Sequence, residues 1–510
     1  MSLYEWTLGA LSSCSFRPPA ICLGILLAML VQPNSSAVTA EPAASTETWD
    51  AFYIGDSRVG YAHTTWRYLH DEGRQLIRWS STNHLSLKRF GQSVTQTLRL
   101  ASLESTDGQL IRFRSELAQG TVPVVARGQV LTDKLRLETT SAGKTETADL
   151  TWDTSWLGFA GSDQLLQRDP LKPGDVRRYS TLLPVLNQVA EVELKAVRLE
   201  ATELLTGVHQ LLRVESTSKV NDVIIQSVTW VDKTGQPLKS FIPTLGQYGY
   251  RTTKEQALDK TEEVSFDLGQ FSTVRLQRSI PNPHRTKQIV YRVQLKDTDP
   301  SAIFVTGASQ SVKAIDEQTT LVTVSSIRPA DPPKLLFASI RKPTSDDLTA
   351  NNLIQSDNEK IVKMARSFSS ESDPWQVACK LERYVHEQVQ VKNFSQAFAT
   401  AAEVAASLEG DCTEHSVLLA ALCRACGIPA RVAMGLVYYP PENGFAYHMW
   451  NEVWIQDRWV PLDATLGLGG IGAAHLKLAD SNLKGATAYS AFLPVLQVLG
   501  RIHLEIEEVQ

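Results

Sequence analysis

The stretch Gly410-Asp411-Cys412-Thr413-Glu414-His415, with the apolar run that follows it, decides the reading of this chain. Asp411-x-x-Glu414 has the form of a capping box, in which the N-cap carboxylate accepts from early helical N–H groups and the glutamate reaches back to the N-cap. A helix is therefore expected from about Cys412 to Cys426, stopped by Gly427 and Pro429. Cys412 becomes its first residue, where unpaired N–H groups and the helix dipole favour a thiolate.

Outward from this helix the pattern is regular. Upstream, Ile361, Val362, Met364 and Ala365, then Val377, Ala378, Leu381 and Val385, recur at three- and four-residue steps, which gives amphipathic helices over 358–367 and 374–389. Asp373-Pro374 supplies a capping residue followed by proline at the first helical position. Downstream, strands are expected over 430–438, 447–455 and 459–462. Helices followed by antiparallel strands make an α+β domain, placed at 351–505.

Two further residues in that domain suit a thiol nucleophile, which needs a base and, behind it, an orienting carboxylate. His448 lies in Tyr447-His448-Met449-Trp450-Asn451-Glu452-Val453-Trp454, and Asp463 ends Arg458-Trp459-Val460-Pro461-Leu462-Asp463. Strand side chains alternate faces, so the register decides whether the two meet. If Ile455 pairs with Arg458, Trp450 lies across from Asp463 and His448 sits one diagonal away on the same face, within reach. A slip of one residue would separate them. His415 is read as structural, because the helix carries it away from the sheet. Trp450, Trp454 and Trp459 are read as packing residues, and the loop from Tyr439 to Gly444 as a candidate cleft wall. Cys423-x-x-Cys426 lacks a second Cys-x-x-Cys or a His pair at zinc spacing, and is read as two small side chains buried on a helix.

From Trp49 to Val293 the sequence alternates in short strands punctuated by turns such as Asp107-Gly108 and Thr234-Gly235-Gln236-Pro237. Helical periodicity is hard to find there. The expectation is all-β antiparallel structure over 48–295, as one large domain or two stacked ones. From Gln288 to about Ile340 there are further strand candidates, Val290–Leu295 and Thr319–Val324, broken by the proline-rich Asp331-Pro332-Pro333, and residues 296–350 read as a connecting β segment and linker. The chain is thus multidomain, as 510 residues require.

Charged residues make up 21% of the chain and the net charge is −5, with no basic stripe, which argues against a nucleic-acid partner. At the N-terminus, Arg17-Pro18-Pro19 precedes the apolar run Ala20–Val31, and small residues follow to Ala40. Residues 1–40 read as a signal peptide cleaved after Ala37 or Ala40, with export to the periplasm or the extracellular space. The run is short of the about 20 residues a span needs. Glu5 and the length of the segment before Arg17 argue for the alternative, a short uncleaved anchor, and only then is a membrane a partner. Removing the segment takes Cys14 and Cys22 with it. The remaining cysteines, Cys379, Cys412, Cys423 and Cys426, leave no disulfide to staple the N-terminal region.

The segments around Cys412, Ala425–Val432, Tyr447–Trp454 and Trp459–Thr465 together resemble the core of transglutaminase-like proteins, the bacterial branch above all, over roughly 355–475. The resemblance implies a papain-like fold with Cys412 as nucleophile, His448 as base and then acid, and Asp463 as orienter. The animal enzymes of this family use calcium. No loop here has calcium-ligand spacing, so no cofactor and no metal is expected. The Cys412 N–H is a natural oxyanion donor, with Asn393 and Gln396 as polar candidates for the second. Three activities compete: hydrolysis of amide bonds in extracytoplasmic peptides or proteins, protein-glutamine acyl transfer (cross-linking), and a non-catalytic peptide-binding module. In each, the partner is a peptide or protein. The partner of the β-rich region is left open.

Overall fold

A computed structural model describes residues 45–510 except 72, 90, 120–121, 260–265, 297, 330, 332–340, 369 and 391–397. The signal segment and the oxyanion candidates Asn393 and Gln396 lie outside the described residues.

Fourteen strands between Ser45 and Thr252 form a single sheet. Two meandering arms join where strand Ser45–Ile54 pairs antiparallel with Gln247–Thr252, Ala51 opposite Tyr250. The alternation read in the sequence is the alternation of burial. Strand Gln92–Ser105 buries Val94, Gln96, Leu98 and Leu100 on one face and turns the intervening residues outward. One continuous sheet is the outcome, not two stacked domains.

This region also holds a helix that the sequence reading missed, Phe159–Arg168. Its N-terminus is capped by a distant strand: the Glu104 carboxylate accepts from Ala160 N at 2.9 Å and from Gly161 N at 2.9 Å. Trp79 Nε1 donates to Asp163 at 2.5 Å from the same sheet. Tertiary contacts, not local periodicity, hold these residues helical.

The segment after residue 280 does more than connect. Strands Gln288–Leu295, Gln310–Ala314 and Thr319–Ser325 form a four-stranded sheet with the C-terminal strand Ile502–Val509. The chain thus returns from its far end to complete this sheet, with Val293 opposite Leu504.

Farther on, helices Glu359–Arg366, Pro374–Gln388, Ala401–Ser407 and Cys412–Ala425 each begin at a side-chain N-cap, supplied by Asn358, Asp373, Thr400 and Asp411. The Cys412–Ala425 helix is buried along its length and packs against a five-stranded sheet. That sheet runs Val274–Arg275, Gly444–Ile455, Ala430–Tyr439, His475–Ser481, with Arg458–Leu462 paired to Gly444–Ile455. Gly435 is required where strands 430–439 and 475–481 approach, since a Cβ there would lie 1.9 Å from the Leu476 carbonyl oxygen. Among the described residues, no helix is long and apolar enough to cross a membrane.

Candidate active site

The site is assembled at the start of the Cys412 helix. Asp411 accepts from Thr413 N at 2.9 Å, and Glu414 accepts from Asp411 N at 2.9 Å, so both halves of the capping box are present. Gly410 leads into it at φ +148°, where a Cβ would sit 2.2 Å from the Glu414 Cβ. One turn of this helix is stitched to the backbone of Met449, the residue after His448. Ser416 Oγ donates to Met449 O at 3.0 Å, Asn451 Nδ2 donates to Ser416 O at 2.9 Å, and the Met449 N–H donates to the Cys412 sulfur.

The hairpin then sets the second contact. Gln456 and Asp457 take φ of 47° and 59°, the left-handed pair of a type I′ turn. Ile455 pairs with Arg458 and Asn451 with Leu462, which is the register the sequence argument required. His448 Nε2 consequently lies 2.7 Å from Asp463 Oδ2. With Nε2 engaged, Nδ1 is the ring nitrogen on the edge away from the carboxylate.

Sequence reasoning missed the surroundings of Asp463. His475 Nε2 lies 3.1 Å from the same Oδ2. Thr465 donates to Oδ1 through both its N–H, at 2.9 Å, and its hydroxyl. Glu382, fully buried on the Pro374–Gln388 helix, accepts from Asp463 N at 2.9 Å, from Gly469 N at 2.5 Å and from Gly470 N at 3.4 Å. Trp450 lies parallel to the His448 ring at 6.2 Å and edge-on to His475 at 5.2 Å. His284 approaches His475 at 5.9 Å.

Burial alone would push Asp463 up, but the adjacent His448, together with hydrogen bonds from His448 and His475, holds its carboxyl well below the usual range. Burial pushes Glu382 up to about 7 against the pull of its backbone donors. Burial pushes His284 down to about 4, with His475 adding to the shift, and burial also lowers His475. His475 and His284 therefore serve as neutral rings near neutral pH.

One expectation changes sign. A helix start favours a thiolate where it meets solvent, but here Cys412 and His448 are both 0% exposed. Burial pushes the Cys412 thiol well up, and the neighbouring Asp411 charge adds to it. With its pKa raised by burial, the sulfur is held as a thiol.

The other candidates sort plainly. His415 Nδ1 lies 2.6 Å from Asp411 O, within its own helix. Trp454 and Trp459 pack edge to face at 5.4 Å, with the Arg431 guanidinium over Trp459 at 4.2 Å. The loop 439–444 is tied to Leu276, whose N–H donates to the Asn443 carbonyl and whose carbonyl accepts from Asn443 Nδ2. Cys423 is buried, and Cys426 Sγ lies 3.8 Å from Ala365 O. The ligand atoms of His448, Asp463 and His475 fall within 4.8 Å of one another. Both ring nitrogens address one oxygen at hydrogen-bond distance, so hydrogen bonding accounts for the cluster. A cavity in the large sheet, lined by Trp79, Phe159, Asp163 and Tyr179 among others, has no lining residue in common with this site.

Comparison with known proteins adds the following. Residues 362–464 match the Transglutaminase-like superfamily. No curated protein matches the chain. A solved structure of a "putative cysteine protease" from Cytophaga hutchinsonii is 15% identical, over 44% of this chain and 85% of that one, with a TM-score of 0.27. A beta-barrel-like protein of a domain of unknown function from Brucella abortus is 9% identical, over 42% of this chain and 98% of that one, with a TM-score of 0.32. A "putative protease" from Parabacteroides distasonis is 11% identical, over 78% and 66%, with a TM-score of 0.17. Cys412, His448 and Asp463 all fall inside the segment that matches the transglutaminase-like superfamily, which the chain carries together with a large β-sheet region.

Proposed function

We propose that this chain is a cysteine-nucleophile enzyme that hydrolyses amide bonds in extracytoplasmic peptides or proteins. The observation that carries the reading is the His448–Asp463 contact of 2.7 Å on the strand that also bonds the Cys412 sulfur through Met449. Export rests on the signal-like segment 1–40.

The chemistry follows from the placement. As the substrate enters, His448 takes the Cys412 proton, and Asp463 steadies the ring in the tautomer that leaves Nδ1 as base. The sulfur attacks the carbonyl carbon, and the oxyanion forms near the Cys412 N–H at the helix start. His448 returns the proton to the departing amine, leaving a thioester. Water, deprotonated by His448, then releases the acid and restores the thiol.

Incubation of the full chain with a labelled glutamine-containing peptide tests this, in the presence and absence of a primary amine. Release of new amine and acid termini, abolished by Cys412→Ala, is the expected result. Amine incorporation without hydrolysis would make the protein a cross-linking acyltransferase instead. Binding with no turnover would make it a peptide-binding module.

A further inference from the structure

Arg89 closes strand Arg74–Arg89 of the large sheet, far in sequence from the core. It is 1% exposed, and its Nη2 donates to Asp411 Oδ2 at 2.6 Å. Asp411 is the N-cap of the nucleophile helix and the residue before Cys412. We propose that the β-sheet region completes the active site, supplying Arg89 as the cation that neutralises Asp411 beside the Cys412 sulfur. The proposal rests on the reading of Cys412 as nucleophile.

The start of the helix holds two opposed requirements. The helix needs an acceptor at its N-cap, and Asp411 provides it, bonding the N–H and hydroxyl of Thr413 at 2.9 Å each. An anion buried next to a sulfur that must itself become an anion opposes that change. Glu414, the other acid at the helix start, is pushed well up by burial and by Asp411, so it adds little further negative charge. His415 is engaged with the Asp411 carbonyl. The facing strand presents His448, which pairs with Asp463 at 2.7 Å. Arg89 is therefore the cation that the large sheet brings to this end of the helix.

Burial pushes Asp411 up, but the guanidinium together with the hydrogen bonds to Glu414 and Thr413 holds the carboxyl below its usual value, and the same cation opposes the rise of the Cys412 thiol. Arg89 acts through Asp411 and is a positioning residue in this account. Docking around it is independent of that pair: Asn187 Nδ2 donates to Ala486 O at 2.6 Å and Val122 N to Glu403 at 3.0 Å, both across from the sheet to the core. A charge within 4–6 Å changes a protonation ratio by about 10- to 1,000-fold, which sets the expected size.

The test is the pH midpoint of Cys412 alkylation by iodoacetamide in the full chain, read at the Cys412 peptide by mass spectrometry. The midpoint reports the thiol, while the plateau rate reports access. Arg89→Gln should raise the midpoint by at least about tenfold in thiolate ratio. Asp411→Asn should lower it by a similar factor, the double variant should return toward wild type, and Arg89→Lys should restore most of it. A bridge that merely docks the two regions predicts no such opposed shifts. Midpoints that stay put, or that move in the same direction in both single variants, overturn the proposal. If Arg89→Gln does not fold, Asp411→Asn decides: a midpoint that fails to fall overturns the proposal. A midpoint indifferent to His448→Ala would sink the nucleophile reading while leaving the opposed shifts of Arg89 and Asp411 to be judged separately.

Discussion

Glu382→Gln isolates a cost that the core carries to hold Asp463 in place. The Glu382 carboxyl is raised from its ordinary 4.5 to about 7, chiefly by burial. The folded protein therefore holds this proton up to about pH 7, whereas the unfolded chain releases it near 4.5. Between those values the native state binds more protons, so stability falls as pH rises. The group's favourable contribution is complete below about pH 4.5 and is lost through about pH 7. At 1.36 kcal/mol per pH unit the window amounts to about 3 kcal/mol, or on the order of a hundredfold in the opening equilibrium. Glutamine is neutral throughout and has no such window. Its amide nitrogen would oppose the Gly469 N–H, a penalty of about 1–3 kcal/mol that does not change with pH. The level of stability shifts, but the slope is what discriminates. Urea-dependent hydrogen exchange at the amides of Asp463 and Gly469 reads this locally, at about pH 5 and about pH 8. Wild type should lose about 3 kcal/mol more protection across that interval than Glu382→Gln. Parallel changes in the two proteins would mean that Glu382 is not the source of the slope.

Further outcomes follow from the same contacts. Asp463→Asn should lower kcat/KM by on the order of 10⁴, as loss of an orienting carboxylate does elsewhere. Because Asp463 is depressed, its contribution to stability is complete above about pH 4 and is lost as pH falls below that, so the variant's acid unfolding should show a shallower limb. Gly410→Ala should destabilise the chain by about 2 kcal/mol or more in thermal unfolding, since the new Cβ collides with the Glu414 side chain that closes the capping box. Arg424, which donates to the carbonyls of Ala430, Thr349 and Asn482, is buried, and burial lowers it to about 10. Arg424→Met should cost about 3 kcal/mol in chemical denaturation, with no change in Cys412 alkylation midpoint.

What could be read from the sequence was what local chemistry dictates. The Asp411–Glu414 box and the Asp373-Pro374 start located two helices almost to the residue. The two-residue turn at Gln456-Asp457 set a register in which His448 meets Asp463. What could not be read depended on contacts between distant segments. His475 reaches Asp463 because its strand lies beside Ala430–Tyr439 in the sheet, an order no spacing reveals. Arg89 arrives from a region separated by more than 300 residues. The helix Phe159–Arg168 is capped by Glu104, not by its own sequence. Glu382 was the legible omission: it stands between Ala378, Leu381 and Val385 on the apolar face of its helix, where a buried acid signals a specific partner.

The most direct test of the account is intact-mass analysis of the full chain after brief exposure to p-nitrophenyl acetate, with the adduct mapped by peptide digestion. A single acetyl group on Cys412 is predicted, formed more slowly in His448→Ala and absent in Cys412→Ala. Acetylation confined to Cys379 or Cys426, or at Cys412 with no dependence on His448, would contradict it.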